Sequence, residues 1–223
     1  MPWPEDHKAR TRDRIVHAAA AAFRAGGVAG VRVEDVMARA GLTHGGFYAH
    51  FPSKDDLLRE AVEHASSQTV EALSAPLATL RGEDRLQAVA DAYLSAAHAA
   101  HPEKGCPLAA LGPEIARSSG PPHDALAEAA RARIAWMGDL VPRGRRDTTS
   151  DAQVIGTLAC MVGGVILART VGGEDAGAVL GACREFLRAK PARATSRRRT
   201  RRSPRTAPSR KRHSRTARRN TGR

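Results

Sequence analysis

Gly41-Leu-Thr-His-Gly-Gly-Phe-Tyr-Ala-His-Phe-Pro-Ser-Lys-Asp-Asp-Leu57 is the stretch that decides the fold. Gly41 ends one short helical segment. Thr43 opens another, over 43–51, and its hydroxyl can accept a free N–H of the first turn. Phe47 and Phe51 stand four apart and turn inward together, which leaves Thr43, His44, Tyr48 and His50 on or near the opposite side. Gly45 and Gly46 each cost a helix roughly 1 kcal/mol relative to Ala. Close approach of this backbone to another molecule would offset that cost. Pro52 stops the segment. Ser53-Lys54-Asp55-Asp56 then reads as a capping box with Asp in place of Glu, opening a long helix over 54–75.

Upstream, 33–40 reads as a short helix with Val33, Val36 and Met37 facing inward. A short helix, a turn at Gly41 and a second short helix form the helix-turn-helix plan. In that plan the first helix braces and the second lays its N-terminal residues in the DNA major groove. A helix over 8–25 precedes the pair. Ile15, Ala18, Ala19, Ala22 and Phe23 form one buried face, and Gly26-Gly27 ends it.

Downstream, helices are expected over 84–101, 105–118, 123–140, 151–171 and 174–189, separated by Pro76, Gly82, Pro102, Pro121-Pro122, Pro142 and Gly172-Gly173. Ser150-Asp151-Ala152-Gln153 reads as a second capping box and helix start. Ala is frequent, aromatics make up only 4%, and no run alternates as a strand does, so the fold class is all-α. The longest uncharged stretch, Ala152 to Ala168, is short for a membrane span and is read as a buried helix. The N-terminal residues are charged and lack the apolar core of a signal peptide. Three widely spaced cysteines, Cys106, Cys160 and Cys183, are no disulfide framework and suit a reducing cytosol.

The net charge of +13 misleads until it is located. Residues 190–223 hold 15 Lys or Arg and no acid, which leaves 21 basic and 23 acidic residues in 1–189. Within that part, 1–51 is slightly basic and 52–189 acidic. The tail carries no Val, Ile, Leu, Met, Phe, Trp, Tyr or Cys, so it cannot bury apolar surface and is expected to be disordered. It is either a non-specific DNA arm with steep salt dependence or an extension without a role.

The Gly41–Leu57 stretch resembles the DNA-binding signature of the TetR/AcrR transcriptional regulators, Ala-Gly-x-[Ser/Thr]-x-Gly-x-[Leu/Phe]-Tyr-x-[His/Tyr]-Phe-x-[Ser/Asn]-Lys followed closely by Leu. Nearly every fixed position is met at the right spacing. The likeness continues weakly through 1–189, most clearly in Met161-Val-Gly-Gly-Val-Ile-Leu-Ala-Arg169, and does not reach the tail. The resemblance implies an all-α, Ω-shaped homodimer. Its DNA-binding domain would span 8–68 and its ligand-binding and dimerisation domain 69–189, with the basic tail at 190–223. It further implies DNA contacts at Thr43 and His44, with Gly45 and Tyr48 beside them, and phosphate contacts at His50 and Lys54. Two positions depart from the pattern. Arg32 replaces the Thr that usually caps the second helix, which weakens the cap but lets an Arg reach a phosphate. Met37 replaces a usual Ala.

The partners implied are double-stranded operator DNA, an unidentified small-molecule effector and a second copy of the chain, in the cytoplasm at the nucleoid, with no membrane. Gly156, Gly163 and Gly164 would let helices approach closely at the dimer contact. Candidate effector contacts are Tyr93, His98, Leu108, Leu111, Ile115, Trp136 and Met137. Each of these can equally be core. Cys106, after Gly105 and before Pro107 at a helix start, is either a sensor thiol, with Lys104 helping to stabilise a thiolate, or a small buried hydrophobe. His98, His101 and Cys106 are too few for a metal site, so no metal and no cofactor are expected. Phosphate loops, paired-His motifs and nucleophile elbows are all missing, so an enzyme is not expected. The chain therefore reads as a repressor released by a small molecule or electrophile, with an architectural, tail-driven DNA-binding protein as the alternative.

Overall fold

The computed structural model describes residues 5–81, 84–141 and 148–189. Its compact unit ends at Lys190, and the expectation of a disordered basic tail lies outside the described residues, as do Gly82 and Pro142. The described residues form helices and turns with no strand.

Helix α1 (Glu5–Gly30) buries Ile15, Ala19, Ala22 and Phe23 on one face, as their spacing predicts. Its continuity breaks at Gly27, which takes φ 74°, a left-handed conformation that favours glycine. Helix α2 (Val33–Arg39) turns Val36 and Met37 into the core. The weakened cap expected at Arg32 is repaired from inside the helix. The Asp35 carboxylate accepts the Arg32 backbone N–H at 3.4 Å and its Nε–H at 3.1 Å. That pairing holds the Asp35 carboxyl below its ordinary range and raises the Arg32 guanidinium.

Gly41, at φ 69°, turns the chain into a six-residue 3₁₀ helix, His44–Ala49, that stands where an α-helix over 43–51 was expected. Two glycines in six residues leave the segment short and tightly wound. Helix α3 (Lys54–Ser74) follows. Ser53 Oγ accepts the Asp56 N–H at 3.1 Å and donates to the Asp56 carboxylate at 2.7 Å. The box is thus half made, because the shorter Asp takes the hydroxyl rather than a backbone N–H.

The expected helix over 84–101 is divided. Helix α4 (Asp84–Tyr93) ends at a turn, and α5 (Ala96–Ala100) restarts with Ser95 accepting the His98 N–H. After a 3₁₀ turn at Pro102–Lys104 come α6 (Pro107–Ile115) and α7 (Pro121–Leu140). Pro121 and Pro122 begin α7 rather than precede it, since a first-turn proline sacrifices no helical bond. Helix α8 (Thr148–Val171) begins two residues before Ser150, so the expected helix start there does not hold. Helix α9 (Asp175–Arg188) closes the described chain.

Two apolar clusters result. The first joins α1, α2, the 3₁₀ helix and the front of α3, together with Leu111 and Ile115 of α6 and Ala125 and Leu126 of α7. The second joins Leu73, α4, Cys106, Ala109, Met137, Leu140, α8 and Leu180 of α9. Helix α3 runs through both, so the expected boundary between 68 and 69 falls inside a continuous helix. Helix α8 differs from the expected buried helix. Met161 and Val165 are buried, but Ile155, Leu167 and Val171 are half exposed. Gly164 serves contact within the chain, because a Cβ there would stand 2.8 Å from Cys183 Sγ and 2.9 Å from Leu94. Gly156 and Gly163 meet nothing within 4 Å. Cys160 faces Cys183, and burial with that neighbour pushes its thiol up to about 11.

Candidate DNA interface and effector cavity

Thr43, His44, Gly45 and Tyr48 are all exposed, and Tyr48 at 70%. Beneath them Phe47 and Phe51 are buried, their rings stacked 5.8 Å apart. Tyr48 packs edge-on against Phe47 at 5.1 Å and meets the His44 ring at 6.4 Å. Thr43 occupies the N-cap position, yet its side chain makes no capping bond, which corrects the expected cap and leaves the hydroxyl outward. A Cβ on Gly45 would enter open space, whereas one on Gly46 would make ordinary contact with the end of Met37, at 3.7 Å.

Two arginines that sequence reading missed hold these elements from behind. Arg14 donates to the Ala40 carbonyl at the end of α2, at 2.5 Å. Arg12 donates to the His50 carbonyl and to Glu60, with its guanidinium 4.2 Å from the Phe51 ring. Both satisfy carbonyls that a helix end leaves free. Two residues apart, they leave α1 on different sides, so no pattern in the sequence pairs them.

His50 is partly buried, and its Nδ1 has no partner. Burial, reinforced by Lys8 and Arg12, lowers its pKa, which favours a neutral ring over the cation a phosphate would prefer. Lys54 Nζ donates to the Val28 carbonyl at 2.8 Å and lies over the Phe23 ring. Its ammonium therefore braces the end of α1. Arg32 is exposed, and its guanidinium is shared with Asp35.

The candidate effector residues separate into three groups. Leu111 and Ile115 are fully buried in the first cluster, against α1, and Ile115 also lines a separate hollow of about 500 Å³ beside Val28, Lys54 and Glu114. The helix α6 face that carries them is apolar because it joins the two halves of the chain. Met137 is fully buried in the second cluster, Leu108 touches both clusters, and Trp136 is half-buried with its ring 5.8 Å from the Arg133 guanidinium.

Tyr93, His98 and Cys106 do come together. Their rings and backbone meet beside a cavity of about 380 Å³ lined by Thr69, Ala72, Leu73, Ala92, Tyr93, Ala97, His98, His101 and Lys104. The His98 and Tyr93 rings are 4.3 Å apart. His98 Nε2 accepts the Cys106 N–H at 3.0 Å, so its proton sits on Nδ1 and is donated to the Tyr93 carbonyl at 2.6 Å. Burial, opposed by that carbonyl and aided by Arg169, Arg133 and Arg24, lowers the His98 pKa and keeps the ring neutral. With both nitrogens engaged, His98 has none left for a metal.

Cys106 is at the start of α6, as expected, but it is fully buried, which closes it to a bulky electrophile in this conformation. Arg24, a residue the sequence did not single out, closes the segment down. Its guanidinium donates to Gly105 O and Gln68 Oε1, each at 2.8 Å, and to Ala20 O at 2.9 Å.

Comparison with known proteins agrees with this arrangement. The model described as bacterial regulatory proteins, tetR family, matches residues 15–61, and that of a tetracyclin repressor-like C-terminal domain matches residues 82–178. The HTH-type transcriptional regulator CymR of Pseudomonas putida is 38% identical over 74 residues, 33% of this chain; the match spans 36% of the length of that curated relative. A TetR transcriptional regulator from Chloroflexus aurantiacus superposes with a TM-score of 0.68 at 26% identity, over 82% of this chain and 94% of that one. The reduced form of E. coli NemR superposes at 0.69 with 18% identity, over 80% and 95%, a likeness of fold alone. The chain belongs to the TetR family of bacterial transcriptional regulators.

Proposed function

We propose that this chain is a homodimeric, operator-specific repressor of the cytoplasm and nucleoid that releases DNA when a small molecule binds its C-terminal half. The observation that carries this reading is the outward row of Thr43, His44, Gly45 and Tyr48 over a fully buried Phe47–Phe51 pair. A large aromatic at 70% exposure is wasted in the free protein but well placed against base edges or sugar. Gly45 has open space above it, so its lack of a side chain serves a partner rather than the fold. Arg32 adds a phosphate contact at the edge of the row, and His50 and Lys54 support the row more than they touch DNA.

Dimerisation uses the outer face of α8 and α9. Ile155, Leu167 and Val171 share that face with the open Gly156 and Gly163, and Phe186 on α9 is 72% exposed. A two-fold pairing there would present two reading helices to successive half-sites. Release follows from two ties between α1 and the segment beside the cavity. Arg24 holds Gly105, and Glu114 holds the end of α1. An effector that moves 105–114 therefore moves α1 and the reading helix. A differential affinity of a few kcal/mol is enough to shift such an equilibrium.

Footprinting of the full chain on DNA flanking its own gene tests the reading. One palindromic footprint, lost in Tyr48→Ala, is the expected result. Uniform coating that vanishes with residues 190–223 would instead establish the architectural reading, which the 15 basic residues of the tail favour.

A further inference from the structure

Arg133 is the largest fully buried side chain, at 2% exposure, and lies on the α7 face that packs against α3. Among the described residues it makes a single hydrogen bond, a long one from Nη2 to the Ser66 carbonyl at 3.3 Å. Its Nε and Nη1 have no partner, and no carboxylate pairs with it among the described residues. An arginine does not escape this by losing its proton. A buried guanidinium without an anion is among the costliest arrangements a protein can hold.

The Tyr93 hydroxyl has a similar deficit. It is buried, its nearest polar neighbour is the Cys106 thiol, a weak partner, and it lies within electrostatic reach of Arg133. Two further guanidiniums stand nearby, but both are satisfied by neutral acceptors, Arg24 as above and Arg169 by the carbonyls of His98 and Ala99. The acid that reaches Arg24 and Arg169 is Glu103, whose carboxylate pairs with His101 outside. The interior here is thus cationic and short of one anion.

The cavity beside it has the matching character. Its wall includes Tyr93 and Thr69, one helical turn beyond Ser66, and Arg133 stands behind that wall rather than in it. Ala72, Leu73, Ala92 and Ala97 make the rest of the wall apolar, His101 and Lys104 stand at an exposed rim, and no Asp or Glu lines it.

We propose that this cavity takes a small monocarboxylic acid, whose carboxylate reaches the Tyr93 hydroxyl and, as the wall at Tyr93 yields, the Arg133 guanidinium behind it, with the apolar body against Leu73 and the alanines. The planar fork of Arg matches a carboxylate. Few donors and mostly apolar walls suit one carboxylate on a compact body better than a phosphate. This deepens the effector reading and rests on it for its consequence at DNA, but binding itself is measured without DNA.

The test is calorimetric titration of the full chain with straight-chain monocarboxylates from acetate to decanoate and with benzoate, each against its neutral amide. Saturable binding of at least one acid, at least tenfold tighter than its amide, is expected. Arg133→Met should weaken that acid at least tenfold, and Tyr93→Phe should weaken it less. Arg133→Met should also melt at or above the temperature of the free parent, because it removes an unpaired buried charge. A role confined to packing moves the melting temperature down and leaves acid and amide alike. No binding across the series, equal binding of acids and amides, or unchanged acid binding in Arg133→Met overturns the proposal. If acids bind as expected but leave the operator complex intact, the site stands and the effector reading fails.

Discussion

Glu114 Oε2 accepts the backbone N–H of Val28 at 2.8 Å, so a carboxylate from α6 holds the end of the first DNA-binding helix. Gly27 makes the approach feasible, since a Cβ there would stand 2.4 Å from Glu114 Oε1. The left-handed φ of Gly27 and the close carboxylate are two independent demands on one residue. Substituting either partner probes the link between the two halves of the chain. Glu114→Ala is expected to cost about 1–3 kcal/mol of unfolding free energy, as a removed charged acceptor does, and to reduce ligand-induced release of DNA. Urea unfolding and operator-release titrations measure the two effects.

Phe47 and Tyr48 are neighbours with opposite duties. Phe47→Ala should cost about 3–5 kcal/mol of stability through the cavity it leaves. Tyr48→Ala should leave stability within about 0.5 kcal/mol while operator affinity falls at least tenfold. Paired chemical unfolding and mobility-shift titrations separate the two. A destabilised Tyr48→Ala protein would contradict the exposed position.

Gly45→Ala offers a sharper case. With open space around the position, the free protein should gain up to about 1 kcal/mol from helix propensity. The same methyl group would stand between backbone and DNA, so operator affinity should drop. Greater stability with undiminished DNA binding would remove Gly45 from the interface.

Acid should weaken the fold in a defined window. The pKa values of His98, His64 and His50 are all lowered, in each case chiefly by burial. A base whose folded pKa lies below its unfolded value of about 6.5 binds its proton more readily when unfolded. The stability held by the neutral rings is therefore complete above that value and is lost as pH falls through the folded values. Unfolding free energy measured from neutral pH downward should decline below about 6.5, and His98→Gln should flatten part of the slope.

The outer face of α8 and α9 predicts assembly. Leu167→Glu combined with Phe186→Glu buries two charges in the proposed contact and should yield monomers in light scattering. Operator binding should weaken with it, because half-site reading needs two heads. A dimer that survives both changes would place the contact elsewhere.

Much of the DNA-reading half was legible in the sequence because its signals are local. Gly41, Pro52 and Ser53 act on their own backbone, and Phe47 and Phe51 declare a buried face by spacing alone. The reading went astray where a partner is distant in the chain. Thr43 did not cap. Lys54 turned to a carbonyl 26 residues upstream. The repair at Arg32 is the exception, since Asp35 stands only three residues on and the pairing is local.

The C-terminal half was legible only as a series of helices. Leu111, Ile115 and Met137 look alike as apolar residues, and nothing in their spacing says whether a helix turns them to a cavity or to another helix. Arg133 drew no attention, because an arginine on a helix is ordinarily solvated and its isolation appears only once α3 and α7 have packed.

By itself, then, the sequence determined an all-α chain, the positions of most helix ends and the outward side of the segment that carries Thr43, His44 and Tyr48. Those follow from short-range sterics and periodicity. Tertiary structure alone decided which helix faces meet. With that it decided that Glu114 holds Val28, that Cys106 is shut in, and that a guanidinium lies buried without its anion. Such relations depend on residues tens of positions apart, and chain spacing carries no record of them until packing brings them together.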